Sequence, residues 1–313
     1  MKFRRDILLL GAVAVAAIVG GTLLLILRPG AGIDGFVNAE KARVTAARPN
    51  PANAEAFRAT ICSDEPCVLV EAGGLAILVG AGEGAADGLR ARGLMRADLD
   101  AVVLPGMGLD AIAGLPGVAQ GSLTVGRREP LKVYGPQGIV PVVDGANLLL
   151  AGEPSSRLSV GTDKEDQGLE GIVVFDSGVV AVRAFGGRGP DEQRVYRVDF
   201  EGKSLVIAGC RSRAEQIVSA ARGTQSTAAI LAAGSDRLSA GAESECLAVS
   251  DVLEAAMQAR FDAILLSALK PSTAISGAAE AWRDVLRGEK AVVGAVGATI
   301  DLSPVKPTIT EAR

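Results

Sequence analysis

Residues 102–116 read VVLPGMGLDAIAGLP, and this stretch is the most informative part of the sequence about the fold. With residues 99–101 before it, the stretch begins as a short apolar run, which is typical of a strand buried on both faces. Pro105, Gly106 and Gly108 then end the strand, because proline and glycine interrupt regular structure. Asp110 stands before Ala111 and Ile112, where a carboxylate stabilises a helix N-terminus. The stretch therefore predicts a strand, a glycine-rich loop and a helix, with Asp110 as the one metal-ligating side chain of the loop.

Short strand patterns and amphipathic helix patterns alternate on both sides of this stretch. Residues 67–82 contain two apolar runs joined at Gly73-Gly74, which predicts a hairpin. We expect further strands within residues 99–105, 131–138, 171–185, 196–209, 228–233, 262–268 and 291–302, and helices at 85–94, 213–221 and 249–259. Hairpins mixed with strand–helix alternation predict an α/β domain with helices outside two sheets. Residues 55–304 show no repeat and no internal boundary, and we predict one domain.

Composition argues against a nucleic-acid-binding surface. The 313 residues are 49% hydrophobic and 22% charged, which is enough apolar material for a large core. The net charge is -4, whereas phosphate neutralisation requires clustered Lys and Arg. Aromatic residues, the platforms on which bases stack, make up 3% of the chain.

Residues 1–28 predict a membrane anchor. The run Ile7–Leu27 carries no charge and as a helix would span about 31 Å, close to the hydrocarbon thickness of a bilayer. Lys2, Arg4 and Arg5 precede it, so the N-terminus belongs in the cytoplasm. We expect a single pass through the inner membrane, with the domain in the periplasm or an equivalent extracytoplasmic space. Residues 29–54 predict a linker and residues 305–313 a tail; an export signal cleaved after Ala39 remains the alternative.

The predicted extracytoplasmic location allows the four cysteines to form disulfides, because that compartment is oxidising. Cys62 and Cys67 bracket a short proline-containing loop and favour a small closed ring.

Residues 80–88, GAGEGAADG, resemble a glycine-rich phosphate cradle. The segment lacks the Lys-Ser/Thr ending of a P-loop, so the pattern is only weakly specific.

The order of these elements resembles a metallo-β-lactamase-fold hydrolase, of the branch that includes ribonuclease Z and arylsulfatase-like enzymes. The resemblance covers residues 55–304 and is most specific at 126–138, GRREPLKVYGPQG, where that branch has a near-identical glycine-proline turn. It implies a four-layer αββα sandwich. It also implies two zinc ions, held by a His-x-His-x-Asp-His loop and by histidines and an aspartate elsewhere.

The chain departs from that ligand set at almost every position, since it contains no histidine. The loop keeps Asp110, but its three histidine positions are Gly106, Gly108 and Ala111. The remaining matched positions are Arg188, Cys210 and Ala268 for ligands, Gly80 for an aspartate beside the ligands, and Cys246 for a histidine that assists proton transfer. Zinc sites of this kind require several imidazoles, so the resemblance predicts that the zinc has been lost and that no cofactor replaces it.

Two features are candidates to compensate for the metal. Arg188 would supply a positive charge beside Asp110, or would point into solvent. Cys210 and Cys246 both replace groups that face the family's active site, so a disulfide between them would staple it; free buried thiols are the alternative.

Three functions follow from the resemblance. The first is a catalytically inactive binding or assembly subunit, forming a homodimer or a heterodimer with an active homologue. The second is a metal-independent hydrolase that uses Cys210 or Asp110, although no histidine is present to serve as a base. The third is a protein that binds a small ligand in the vacated pocket.

Overall fold

Two β-sheets organise the chain in the structure, a computed structural model. It describes residues 53–64, 66–150, 157–163, 171–186, 193–233, 246–268 and 290–312. The predicted anchor and nearly all of the predicted linker lie outside these residues. Across the described ranges, none of the helices is both long and apolar enough to span a bilayer.

The first sheet has eight strands in the order β15-β14-β1-β2-β3-β4-β5-β6. The segments β1 to β3 pair antiparallel, and β3 to β6 pair parallel. Their bounds are β1 Phe57–Ile61, β2 Val68–Ala72, β3 Leu75–Val79, β4 Leu99–Val103, β5 Leu131–Tyr134, β6 Leu158–Val160, β14 Thr299–Asp301 and β15 Thr308–Thr310.

The second sheet has seven strands in the order β13-β12-β11-β10-β9-β8-β7 and repeats the same plan. Antiparallel pairs join β7 to β10, and parallel pairs join β10 to β13. The bounds are β7 Ile172–Asp176, β8 Val180–Gly186, β9 Arg194–Phe200, β10 Lys203–Ala208, β11 Ser226–Ala233, β12 Ala263–Ala268 and β13 Lys290–Gly294.

Helices connect the parallel strands and cover the outer face of each sheet. The bounds are α1 Ala85–Ala91, α2 Leu109–Ile112, α3 Leu115–Thr124, α4 Ile139–Leu149, α5 Ala214–Ala220 and α6 Val249–Ala259. Leu78 and Val102 pack in one cluster with Leu89 of α1, whereas their neighbour Ile77 is buried on the other side of the sheet. Because strand side chains alternate, every such strand is apolar on both faces.

The inner faces of the two sheets pack against each other. The Phe57 and Phe200 rings meet edge to face with centroids 5.8 Å apart. The fully buried Tyr196 hydroxyl in β9 donates to the carbonyl oxygen of Leu104, directly after β4, at 2.7 Å. Burial raises the pKa of Tyr196, so this hydroxyl remains a neutral donor. The layers are helix, sheet, sheet and helix, as the resemblance implies.

The predicted hairpin at Gly73-Gly74 is confirmed, with Ala72 paired to Leu75. Residues 305–313, predicted as a tail, instead contribute β15, which pairs antiparallel with β14 and extends the first sheet. The segment was missed because its strand is only three residues long. Helix α4 was also missed, because Pro141 and Gly145 disrupt its pattern, although proline is tolerated in a first turn.

Candidate functional site

A cleft lies where β4 and β10 end, between the two sheets. Its cavity volume is about 30 Å³, and it opens to solvent. Its walls are mostly apolar, and Asp64 and Ser267 contribute polar groups. Ligands of α/β proteins bind at the carboxyl ends of parallel strands, so the cleft occupies the expected place for a site. The apolar lining consists mainly of Pro66, Val68, Val79, Pro105, Ile207 and Ile230.

Gln193 fills the space beside the first glycine of the loop after β4. A Cβ on Gly106 would lie 3.1 Å from Nε2 of Gln193, and a Cβ on Gly209 would lie 3.2 Å from its Oε1. The Gln193 amide therefore sits between the loops that follow β4 and β10. Sequence analysis missed this residue, because nothing in the pattern of residues near 193 indicates a neighbour as distant in the chain as Gly106.

Asp110 and Arg211 converge beside Gly108. Oδ1 of Asp110 lies 2.1 Å, and Nη1 of Arg211 lies 3.4 Å, from the point that a Cβ on Gly108 would occupy. Asp110 stands in the first turn of α2, as predicted, but its side chain does not cap the helix. Arg188, the predicted partner of Asp110, lies outside the described residues. The cation that the structure brings to Asp110 is Arg211.

Two disulfides border the cleft. Cys62 is bonded to Cys67, and Cys210 to Cys246, across 5 and 36 residues of sequence. Cys67 and Cys210 both line the cleft, one on the side of each sheet. Both pairings considered from the sequence are thus present, and the described residues contain no free cysteine.

Buried polar atoms without hydrogen-bond partners concentrate near this end of the fold. Within the described residues they are Asp110 Oδ1, Gln193 Oε1, Ser212 Oγ and Arg194 Nε. The other guanidinium nitrogens of Arg194 donate to Gly135 O and to Asp163 Oδ2, each at 3.1 Å. Because nearly all buried polar groups in proteins are paired, an unpaired group calls for an explanation.

The first three N–H groups of the glycine-rich segment 80–88 donate to backbone carbonyl groups of neighbouring loops and strands. The N–H groups of Gly80 and Ala81 donate to the carbonyl oxygens of Val103 and Ala111. The N–H of Gly82 donates to Pro66 O. Gly80 adopts a φ of +78°, and a Cβ there would lie 2.3 Å from that Pro66 oxygen. These three N–H groups are committed to the fold and position the neighbouring loops.

The donor set does not fit a pair of zinc ions. Gly106, Gly108, Ala111 and Ala268 carry no ligating atom, and the sulfur of Cys210 is bonded to Cys246. Among the described residues, no group of three or more His, Cys, Asp or Glu could hold a metal ion. Asp110 alone remains, whereas such a zinc site requires three or four ligands for each ion.

Comparison with known proteins supports the fold. No family model matches the chain. The metallo-beta-lactamase fold protein YhfI from Bacillus subtilis superposes with a TM-score of 0.60 at 14% identity, over 79% of this chain and 99% of that one. Human tRNase Z, short form, superposes with a TM-score of 0.55 at 18% identity, over 67% of this chain and 92% of that one.

A curated Ribonuclease Z from Clostridium kluyveri is 27% identical over 115 residues, which is 37% of this chain. The match covers 38% of that relative's length. Together with the two sheets, their strand order and the position of the cleft, these similarities show that the chain has the metallo-β-lactamase fold and that its structural neighbours include ribonuclease Z proteins.

Proposed function

We propose that this chain is a metallo-β-lactamase-fold protein that acts by binding and not by hydrolysis, as a ligand-binding or assembly subunit. One observation carries the proposal: apart from Asp110, the positions matched to zinc ligands hold glycine, alanine, arginine and a disulfide-bonded cysteine. Two-metal hydrolysis depends on the ions to generate a hydroxide near neutral pH and to stabilise developing charge. Asp110 and Gln193 cannot supply that chemistry.

A metal-independent hydrolase is the competing function. It would use Cys210 or Asp110 as nucleophile, but Cys210 forms a thiolate only after its disulfide is reduced. The chain contains no histidine that could act as the base. Both features favour binding over catalysis.

Metal analysis combined with hydrolase assays tests the proposal. The purified full chain is dialysed against zinc, and bound metal is counted beside a ribonuclease Z treated in the same way. We expect less than one zinc per chain and no hydrolysis of phosphodiester or sulfate-ester substrates above the buffer rate. Stoichiometric zinc bound in the cleft, or hydrolysis that Cys210→Ser abolishes, would overturn the proposal.

The N-terminal segment would present the domain outside the inner membrane. Its uncharged run and the basic residues before it support an anchor, and the two disulfides are compatible with an oxidising compartment. Fractionation tests this: the full chain should sediment with membranes, and a variant lacking residues 1–28 should not. Protease added from outside the membrane should digest the domain in intact spheroplasts.

The exposed apolar end of α4 supports an assembly role. Leu148 and Leu149, its last two residues, are 82% and 75% exposed. We propose a homodimer or a heterodimer with an active homologue through this end of α4. Light scattering of the chain alone, and of its mixture with such a homologue, should detect a dimer that Leu148→Glu weakens and that the exposed substitution Gln258→Glu leaves intact. A monomer in both samples contradicts the assembly role.

A further inference from the structure

The cleft occupies one end of the sandwich, and the described chain begins at the other. Strand β1 begins at Phe57, and the N–H of Gly73, in the turn between β2 and β3, donates to the carbonyl oxygen of Ala56 at 3.1 Å. Cγ1 of Val179 lies 3.1 Å from the point that a Cβ on the same glycine would occupy. The turns that follow β2, β7, β9 and β14 all lie at this end, as the strand directions require. We call it the entry end, since the predicted linker, residues 29–54, joins the domain here.

Three connections at the entry end expose a valine. Val179 lies between β7 and β8, Val305 lies between β14 and β15, and Val125 follows α3, which returns from the cleft end to the start of β5. Their exposed fractions are 57%, 93% and 48%. Turns are built mainly from glycine, proline and polar residues, so exposed valines at three of them call for an apolar partner. Because they belong to separate connections in both sheets, they suit a flat lipid surface better than the single contiguous patch on which a protein packs.

The backbone at two of these connections is satisfied within the fold. The N–H of Ser177 donates to the carbonyl oxygen of Val180 at 3.0 Å, and Oγ of Ser177 accepts the N–H of Val180 at 2.9 Å. In the turn that carries Val305, Nζ of Lys203 donates to the carbonyl oxygens of residues 302, 303 and 304 at 2.6, 2.9 and 2.9 Å. Unpaired backbone groups are what makes an irregular segment costly in lipid. These turns can therefore enter the lipid interface without leaving those groups unpaired.

Basic side chains accompany the valines. The exposed residues Arg128, Arg222 and Arg260 follow α3, α5 and α6, whose last turns lie at the entry end. Cations there complement the helix dipole, and they also face outward, where they can meet anionic groups. At the cleft end, by contrast, the first turns carry acidic residues, which are Asp87, Glu215 and Asp251. The entry end also exposes carboxylates, so its positive excess is modest; they are Glu55, Glu129, Glu201 and Asp262.

We propose that the entry end rests on an anionic lipid surface. Val125, Val179 and Val305 enter the interface, and the arginines lie beside lipid phosphate groups. A contact of this size is weak by itself, so the tether supplies the high local concentration that it requires. The inference rests on the proposed membrane location, because the anchor brings the domain to lipid. The cleft end then faces away from the bilayer.

Quenching of tryptophan emission by lipid tests which end meets the bilayer. The full chain is reconstituted into vesicles of phosphatidylglycerol and brominated phosphatidylcholine as Val179→Trp, Val305→Trp and the control Leu109→Trp, whose position at the cleft end is 77% exposed. The natural chain, with its one tryptophan, supplies the background. We expect brominated lipid to remove roughly half or more of the added emission of the first two variants, since interfacial apolar groups lie about 5–10 Å deep, and little of the third. Thermal melts check that each variant is folded.

Lipid composition tests the role of the arginines. Quenching of Val305→Trp should be stronger with phosphatidylglycerol than in vesicles of phosphatidylcholine alone. Adding Arg128→Glu with Arg222→Glu should abolish that difference, whereas Arg128→Lys with Arg222→Lys should keep it, because lysine preserves the charge. Equal quenching in both kinds of vesicle would overturn the choice of an anionic surface.

Three other results would overturn the inference. Equal quenching of all three tryptophans would mean that the domain has no preferred side, and stronger quenching of Leu109→Trp would place the cleft end on the lipid. Protection of the entry-end tryptophans from acrylamide in water, without quenching by brominated lipid, would assign this end to a protein partner. A chain that floats with the vesicles but is not quenched contradicts this inference and leaves the anchor standing. A chain that does not float contradicts the anchor and the inference together.

Discussion

The two ends of the sandwich treat their buried polar groups differently. At the end where the parallel strands begin, Glu71 accepts hydrogen bonds from Arg58 and Arg96, and Asp100 Oδ2 accepts one from the N–H of Ala76 at 2.8 Å. At the end where those strands finish, Asp110 and Gln193 carry unpaired acceptors. Within the part of the chain that the structure describes, the unpaired buried side-chain atoms lie at the second end and not at the first. The contrast therefore lies in how completely each end satisfies its buried polar groups.

Two disulfides border the cleft, and their removal should lower the free energy of unfolding more than the single substitutions described below. The Cys210–Cys246 bond closes 36 residues and the Cys62–Cys67 bond closes 5. Loop-closure entropy then predicts losses in the free energy of unfolding of about 4 kcal/mol for Cys210→Ser with Cys246→Ser, and about 2 kcal/mol for Cys62→Ser with Cys67→Ser. Urea unfolding without reductant measures both, and equal losses would contradict the loop-length argument.

Glu71 tests whether the opposite end is stabilised by its ion pairs. Its side chain is 7% exposed and bonds two guanidinium groups. Glu71→Gln keeps the shape but removes the charge, and we expect a loss of about 2 kcal/mol in the free energy of unfolding, the scale of a charged hydrogen bond in a buried place. The exposed Glu254→Gln is the control and should change the stability little. Equal stability of the two variants would remove the contrast between the ends.

Asp100 provides a pH-dependent test at the same end. Burial raises its pKa from 3.8 to about 6, and the hydrogen bond from Ala76 opposes that shift. Between about pH 4 and 6 the unfolded chain has lost this proton while the folded chain retains it. Stability therefore falls as the pH rises through this window and levels off above it.

Asp100→Asn should abolish that fall, because the amide oxygen still accepts the Ala76 N–H and never ionises. Near pH 7 the variant should be more stable than the natural chain by about 1 kcal/mol, after allowance for partial exposure of the side chain. The measurement is urea unfolding at pH 4, 5, 6 and 7. A difference between the two proteins that does not change with pH would contradict this account.

Gln193→Met should change the free energy of unfolding least, and it should raise that free energy where the cysteine and Glu71 substitutions lower it. Removing an unpaired buried acceptor relieves a desolvation cost, and methionine adapts to the space between Gly106 and Gly209. We expect the free energy of unfolding to stay equal or to rise by up to about 1 kcal/mol. A loss above about 2 kcal/mol would mean that Gln193 is a structural residue after all.

Much of the fold could be predicted from sequence, because strand patterns and the glycines that form turns are features of a few adjacent residues. The hairpin at Gly73-Gly74 and the strand ending at Val103 both follow from a few adjacent residues. Strand β15 and helix α4 could not be predicted in this way: one is three residues long, and the other contains Pro141 and Gly145. Their places in the structure come from tertiary packing.

The residues of the site also fall into those that a local pattern predicts and those that only tertiary packing reveals. Gly106, Gly108 and Asp110 could be identified because they lie on one loop that resembles a known motif. Gln193 and Arg211 could not, since only the packing of one sheet on the other brings them to that loop. Which buried atoms go unpaired is a property of three-dimensional neighbours, and no local pattern encodes it.

The backbone around Gly80 limits what evolution or engineering can do with this scaffold. An aspartate at that position would place its Cβ against the carbonyl of Pro66, in a left-handed conformation that such a residue rarely adopts. A Cβ at Gly108 would meet the Asp110 carboxylate, but that side-chain end can turn aside, and the φ of Gly108 is -67°. Of these two positions, Gly80 is therefore the one at which any side chain would require the backbone itself to move.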